Sequence, residues 1–189
     1  MARRLLRGLL VPLALCGCAF AAAPLNPTPF NVWLDVPFVQ QPKNACGPAT
    51  IAMVMQYWHK QPGLQALDGG ELPQIERSLQ PRNHQGVRAP AMVRYFEQHG
   101  YRAFAFPGQW ADLEQQVSEG RPLIVALKPA GDDSLHYVVV AGVNDPERVV
   151  LLNDPAQRKL LKEDRAQFEH EWKATGNWTL LAVPTVKAH

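Results

Sequence analysis

Apolar residues recur at helical spacing at Ile51, Val54, Met55 and Trp58, which predicts a helix running on from Gly47-Pro48-Ala49-Thr50 with one apolar stripe toward the core. A second helix is predicted over Ala89 to Gln98, carrying Met92, Val93 and Phe96 and closed by Gly100. A third runs from Trp110 to Glu119 and stops at Gly120; a charged fourth covers Lys162 to Lys173, with Gly176 past its end. Strand signals fall elsewhere. Leu34 to Val39 reads as a short edge strand, because Pro37 lacks the donor a central strand needs. Tyr101 to Phe106, the wholly apolar Leu123 to Leu127, and Trp178 to Val183 are three more. The order reads as α+β, with helices dominating the amino-terminal part and a sheet the carboxy-terminal part. No internal repeat is evident.

Two further β-prone runs, Leu135 to Val143 and Val149 to Pro155, flank the turn residues Asn144-Asp145-Pro146-Glu147-Arg148 and predict a hairpin. A five-residue loop pairs Val143 with Val149 and sets Asp154 opposite Val138, on the face of His136 and diagonal to it. A four-residue loop moves the pairing by one and puts Asn153 there instead. Either side chain can accept from one imidazole nitrogen and fix the tautomer, leaving the other nitrogen to handle a proton.

Composition changes the picture at the amino terminus. The 189 residues hold 19 Lys and Arg against 17 Asp and Glu, but Arg3, Arg4 and Arg7 crowd the first eight positions, and without them 16 bases face 17 acids. A near-neutral body offers no clustered cations for nucleic acid. The basic start, the short apolar run Leu9 to Leu15 and the small residues after it have the layout of a secretory signal over residues 1–23, too short to span a bilayer. Leu15-Cys16-Gly17-Cys18 has the form of a lipoprotein box, with Cys18 as the lipid-bearing residue; a cut after Ala21 or Ala23 is the alternative. The expectation is an exported chain, periplasmic or held at the membrane through that signal or lipid alone. Residues 24–33 are then a short linker and residues 34–189 the folded domain.

With the signal removed, Cys46 is the one thiol left. It has no internal partner for a disulfide, so it is an unpaired partner, an inert buried thiol or a nucleophile. Pro48 suits the first turn of a helix, which places Cys46 at or just before a helix amino terminus, where unpaired amides favour thiolate. Gly47 leaves room for a substrate backbone. Gln40 or Gln41, just upstream, can donate a side-chain amide to an oxyanion. His136 can serve as base. The remaining histidines have weaker claims: His59 and His99 end helices, His84 lies in a polar loop, His170 in the charged helix, and His189 is last. One thiol and scattered histidines point to no metal site and no cofactor.

Gln40, Cys46-Gly47-Pro48-Ala49, a helix, a strand opening near His136 and the Asn153-Asp154-Pro155 strand end together resemble the bacteriocin-processing (double-glycine leader) cysteine peptidases, a papain-like group. The resemblance spans Leu34 to Pro184. It implies a papain-like α+β fold, with an amino-terminal helical part carrying the cysteine and a carboxy-terminal antiparallel sheet carrying the histidine and the acid. It implies Cys46 as nucleophile, His136 as general base and acid, Asp154 as its orienter and Gln40 as oxyanion donor, with Gln41 a rival. These residues include neither a transmembrane bundle nor a nucleotide-binding motif, so the substrate, a peptide or protein, is left open. A non-hydrolytic acyl transferase or amidase on the same site, or an inactive peptide-binding module, are the alternatives.

Overall fold

Leu123–Leu127 is buried at every position and His136–Asn144 at every position but the first, which for antiparallel strands requires a layer on each face of the sheet. The computed structural model describes residues 31–62, 64, 68–79, 86–131 and 134–185. The expected signal segment with Cys18, residues 24–30 of the expected linker, His84 and His189 lie outside them. In chain order the elements are β1 (Asn31–Trp33), α1 (Cys46–His59), α2 (Leu72–Leu79), α3 (Ala89–Gln98), β2 (Tyr101–Pro107), α4 (Trp110–Ser118), β3 (Leu123–Leu127), β4 (His136–Asn144), β5 (Val149–Asn153), β6 (Leu161–Asp164), α5 (Arg165–Lys173) and β7 (Trp178–Pro184). Among the described residues no helix is long and apolar enough to cross a membrane.

The strands form one antiparallel sheet ordered β2-β7-β3-β4-β5-β6, with β1 added to β4 beyond the end of β3. One face packs Ile124, Ala126, Tyr137, Val139 and Ala141 against α1 and α3. The other packs Leu123, Val125, Val138, Val140 and Val143 against Leu113 and Val117 of α4 and Phe168 and Trp172 of α5. The side-chain alternation of β4 slips at Ala141, which is an extra residue: Val140 pairs with Leu152, but Gly142 pairs with Leu151. The helix α1 is buried on nearly every side between sheet and α2–α3, a wider burial than a single stripe predicts.

Two expected elements differ. The strand expected at Leu34 to Val39 is displaced: the ladder runs over Asn31–Trp33, inside the expected linker, and ends after Leu34, whose N–H donates to Ala141 O at 2.7 Å. Residues 35–40 join no ladder, and Pro37 has no N–H to offer one. The helix expected from Lys162 to Lys173 is split. Leu161–Asp164 pairs with β5, and the helix starts at Arg165, because Asp164 Oδ1 accepts from the N–H groups of Ala166 (2.8 Å) and Gln167 (3.2 Å) and caps it. α2, with Leu72, Ile75 and Leu79 at helical spacing, was not among the expected elements.

Candidate active site

Cys46 opens α1 as its first residue, after a turn in which Asn44 takes a left-handed φ of 60°. No side chain caps this helix and no acid stands in its first turn; Pro48 has no N–H, Ala49 N–H donates to Ala45 O at 3.0 Å, and the Gly47 N–H is left to the Cys46 sulfur. Gly47 is not an open approach for substrate. It is buried, and a Cβ there would meet Val87 Cβ at 3.2 Å and the Tyr137 ring at 3.6 Å, so glycine lets the helix start press against the strand that carries His136.

His136 is the first residue of β4 and Asp154 follows the last residue of β5. The hairpin loop has four residues, Asn144 pairing with Val149, which taken alone would turn Asn153 toward His136. The Ala141 bulge shifts the register by one, so Val139 pairs with Asn153 and Asp154 falls on the face of His136. His136 Nε2 and Asp154 Oδ1 are 2.8 Å apart. Asp154 also accepts from Ala156 N–H at 2.8 Å and from the Gln157 amide at 2.6 Å, which fixes the carboxylate. Asn153, on the opposite face, donates to Val36 O at 3.1 Å and accepts from Leu160 N–H at 3.0 Å.

The free edge of the imidazole meets the Cys46 thiol, and the electrostatics favour an ion pair. Burial opposes the Cys46 thiolate, but the His136 imidazole and the backbone amides of Tyr137 and Gly47 outweigh it and bring the thiol below its ordinary pKa. Burial likewise opposes charge on His136; hydrogen bonds to Asp154 and Cys46 reverse this and raise its pKa to about 9. Burial raises the Asp154 carboxyl, and its bond to His136 and the donors of Ala156 and Gln157 bring it below the usual carboxylate value.

These groups line a cleft of about 1150 Å³ between the start of α3 and the loops before β4 and after β5. Gln41 lines it; Gln40 is exposed and is not among the lining residues. The Gln41 N–H donates to Pro155 O at 2.9 Å, pinning that residue beside the Asp154 loop, and its Oε1 is buried without a hydrogen-bond partner. The structure thus brings Cys46, His136, Asp154 and Gln41 to one place and leaves Gln40 outside. A smaller cavity of about 280 Å³ lies behind His136 and Asp154, lined also by Glu163 and Glu171. Burial, then Glu171, Asp154 and Asp164, push the Glu163 carboxyl up to about 7. Among the described residues no group of three or more His, Cys, Asp or Glu is placed to hold a metal ion.

Residues 33–180 match the model of the Peptidase_C39-like family. The chain belongs to that family. Solved structures share the fold at low identity. A protein described as a C39-like peptidase from Bacillus anthracis is 19% identical, with a TM-score of 0.66 over 83% of this chain and 99% of that one. The peptidase domain of Streptococcus ComA, a bi-functional ABC transporter involved in a quorum sensing pathway, is 20% identical, with a TM-score of 0.60 over 82% and 98%. A double glycine motif protease from an AMS/PCAT transporter, solved in complex with the leader peptide, is 21% identical, with a TM-score of 0.59 over 82% and 98%. No curated protein matches the chain. The α+β architecture read from the residues, and the papain-like form that the resemblance implied, are those of the C39 peptidases, and the family supports a cysteine peptidase domain.

Proposed function

We propose that this C39-like domain hydrolyses peptide bonds through a covalent intermediate on Cys46. The observation that carries this reading is the convergence of the Cys46 thiol, the His136 imidazole and the Asp154 carboxylate in one open cleft. The Cys46 thiolate attacks the peptide carbonyl carbon. The negative oxygen that forms is held by the backbone N–H of Cys46 at the start of α1 and by the side-chain amide of Gln41. Gln41 takes this role over Gln40 because it faces the cleft. With Nε2 committed to Asp154, Nδ1 of His136 is the nitrogen left for the sulfur, and its proton passes to the leaving amine as the C–N bond breaks. Water, deprotonated by the now neutral imidazole, then releases the acyl group and restores the pair.

A peptide as occupant is supported by the leader peptide bound to the double glycine motif protease of like fold. We further propose that the amino-terminal segment directs export, with Cys18 as the acylation site. Labelling with a fatty-acid probe that is lost in Cys18→Ala tests the acylation; label retained in that variant overturns it. For the chemistry, Cys46→Ala should fold with an unchanged circular dichroism spectrum and lose peptide cleavage; cleavage retained in that variant refutes the mechanism.

A further inference from the structure

The cleft is electrostatically lopsided. On its α3 wall, Arg88 is exposed and lines the same cavity as Cys46 and His136. It stands at the residue before α3, where its backbone carbonyl accepts from Ala91 and Met92. Among the described residues, the other groups lining the cleft that carry charge, Cys46, His136 and Asp154, are bound to one another, and Tyr137 is a neutral phenol. The remaining walls, among them Val87, Pro90, Pro129 and Leu135, are uncharged. On the far side, behind His136 and Asp154, Glu163 and Glu171 border the smaller cavity, and Lys162, which also lines it, is bonded to Glu147 at 2.6 Å. Among the described residues, Arg88 is thus the one cation lining the cleft that is not bound within the Cys46–His136–Asp154 group, and a negative group carried by an occupant is attracted to the α3 side. A guanidinium is the side chain best shaped to take a carboxylate through two parallel hydrogen bonds.

We propose that Arg88 is a specificity-determining residue that binds a carboxylate of the substrate peptide, drawing the acidic part of that peptide to the α3 side of the cleft. The proposal rests on the peptidase reading above. The carboxylate can belong to an Asp or Glu side chain near the cleaved bond or to the free carboxy terminus of a short peptide; both offer the same planar anion.

Internally quenched peptides that differ only in Glu, Gln or Lys at successive positions around the cleaved bond test this, each made with a free and an amidated carboxy terminus. At one position wild type should favour Glu over Gln by about fivefold in kcat/KM, the scale of a partly exposed Arg–carboxylate pair, and the preference should shrink with added salt. Arg88→Gln should erase it, and Arg88→Glu should shift it toward Lys. A preference found only with the free terminus assigns the carboxylate to the chain end. Equal rates for Glu and Gln throughout, or a Glu preference untouched in both Arg88 variants, overturns the proposal. Peptides that wild type leaves uncleaved count against the peptidase reading instead. In that case their binding to Cys46→Ala, by fluorescence anisotropy, decides the Arg88 question with the same expected order.

Discussion

Asn153 and Asp154 are neighbours in the chain and face opposite sides of the sheet: Asn153 ties down Val36, and Asp154 holds His136 at 2.8 Å. The two acceptors thus have separate duties. Asn153→Ala leaves the Leu160 N–H and the Val36 carbonyl without their partner in the interior, and should cost about 2–3 kcal/mol of stability while residual turnover of the folded fraction persists. Asp154→Asn should fold, yet lower kcat by about 10² to 10⁴, because a neutral amide, even where it accepts from the imidazole, lacks the charge that stabilises the cation. Thermal melts and turnover measured on both variants separate the two roles; a collapse of turnover in folded Asn153→Ala would contradict the assignment.

The shifted pKa values of the pair predict a pH profile. The thiol lies below its ordinary value and the imidazole at about 9, which favours the thiolate–imidazolium state between the two ionisations. The kcat/KM profile should rise as the thiol ionises, below its ordinary value, and fall as His136 loses its proton near 9. The same shifts govern stability. The His136 pairing contributes fully below the ordinary histidine pKa and is lost as pH rises through about 9; the Asp154 pairing contributes above the ordinary Asp pKa and fades as pH falls through its depressed value. Alkylation of Cys46 followed against pH by mass spectrometry reads the thiol directly, and in His136→Ala its midpoint should move upward.

Gly142, beside the bulge, lets β1 lie close against β4. A Cβ there would sit 2.8 Å from the Val32 carbonyl oxygen and 2.9 Å from Leu151 Cδ1. Backbone cannot yield as a side-chain tip can, so Gly142→Ala should force β1 away from β4 and cost about 1–3 kcal/mol. Hydrogen exchange should show Val32 to Leu34 losing protection first. Unchanged protection there would contradict this role of Gly142.

Glu163 faces inward on an edge strand among other carboxylates, with its pKa raised to about 7. An acid whose folded pKa lies above its unfolded one loses stability as pH rises between the two. Glu163→Gln should therefore melt higher than wild type at pH 8 and at the same temperature near pH 4. A melting difference independent of pH would show that ionisation is not its cause.

Much of this architecture is written in local pattern. The apolar run of β3, the helix from Ala89 to Gln98 and the placement of Cys46 at a helix start follow from periodicity, proline and glycine positions alone. What failed did so where tertiary contacts decide. The bulge at Ala141 depends on packing both faces of β4 and cannot be read from the loop length of the hairpin. Lys162 to Asp164 carry the charges of a helix, but the pairing of Leu161 and Glu163 with β5 prevails; Asp164 as a helix cap was the available signal. The choice between Gln40 and Gln41 turns on one backbone bond, from Gln41 to Pro155, that joins segments far apart in the chain.

Mass spectrometry of the full chain, acid-quenched during turnover of a cleavable peptide, tests the central claim most directly. The account predicts a population heavier by the acyl fragment of the substrate, with the added mass on the tryptic peptide containing Cys46 and absent in Cys46→Ala. Steady cleavage with no acyl group on Cys46, in a quench fast enough to trap one, would contradict it.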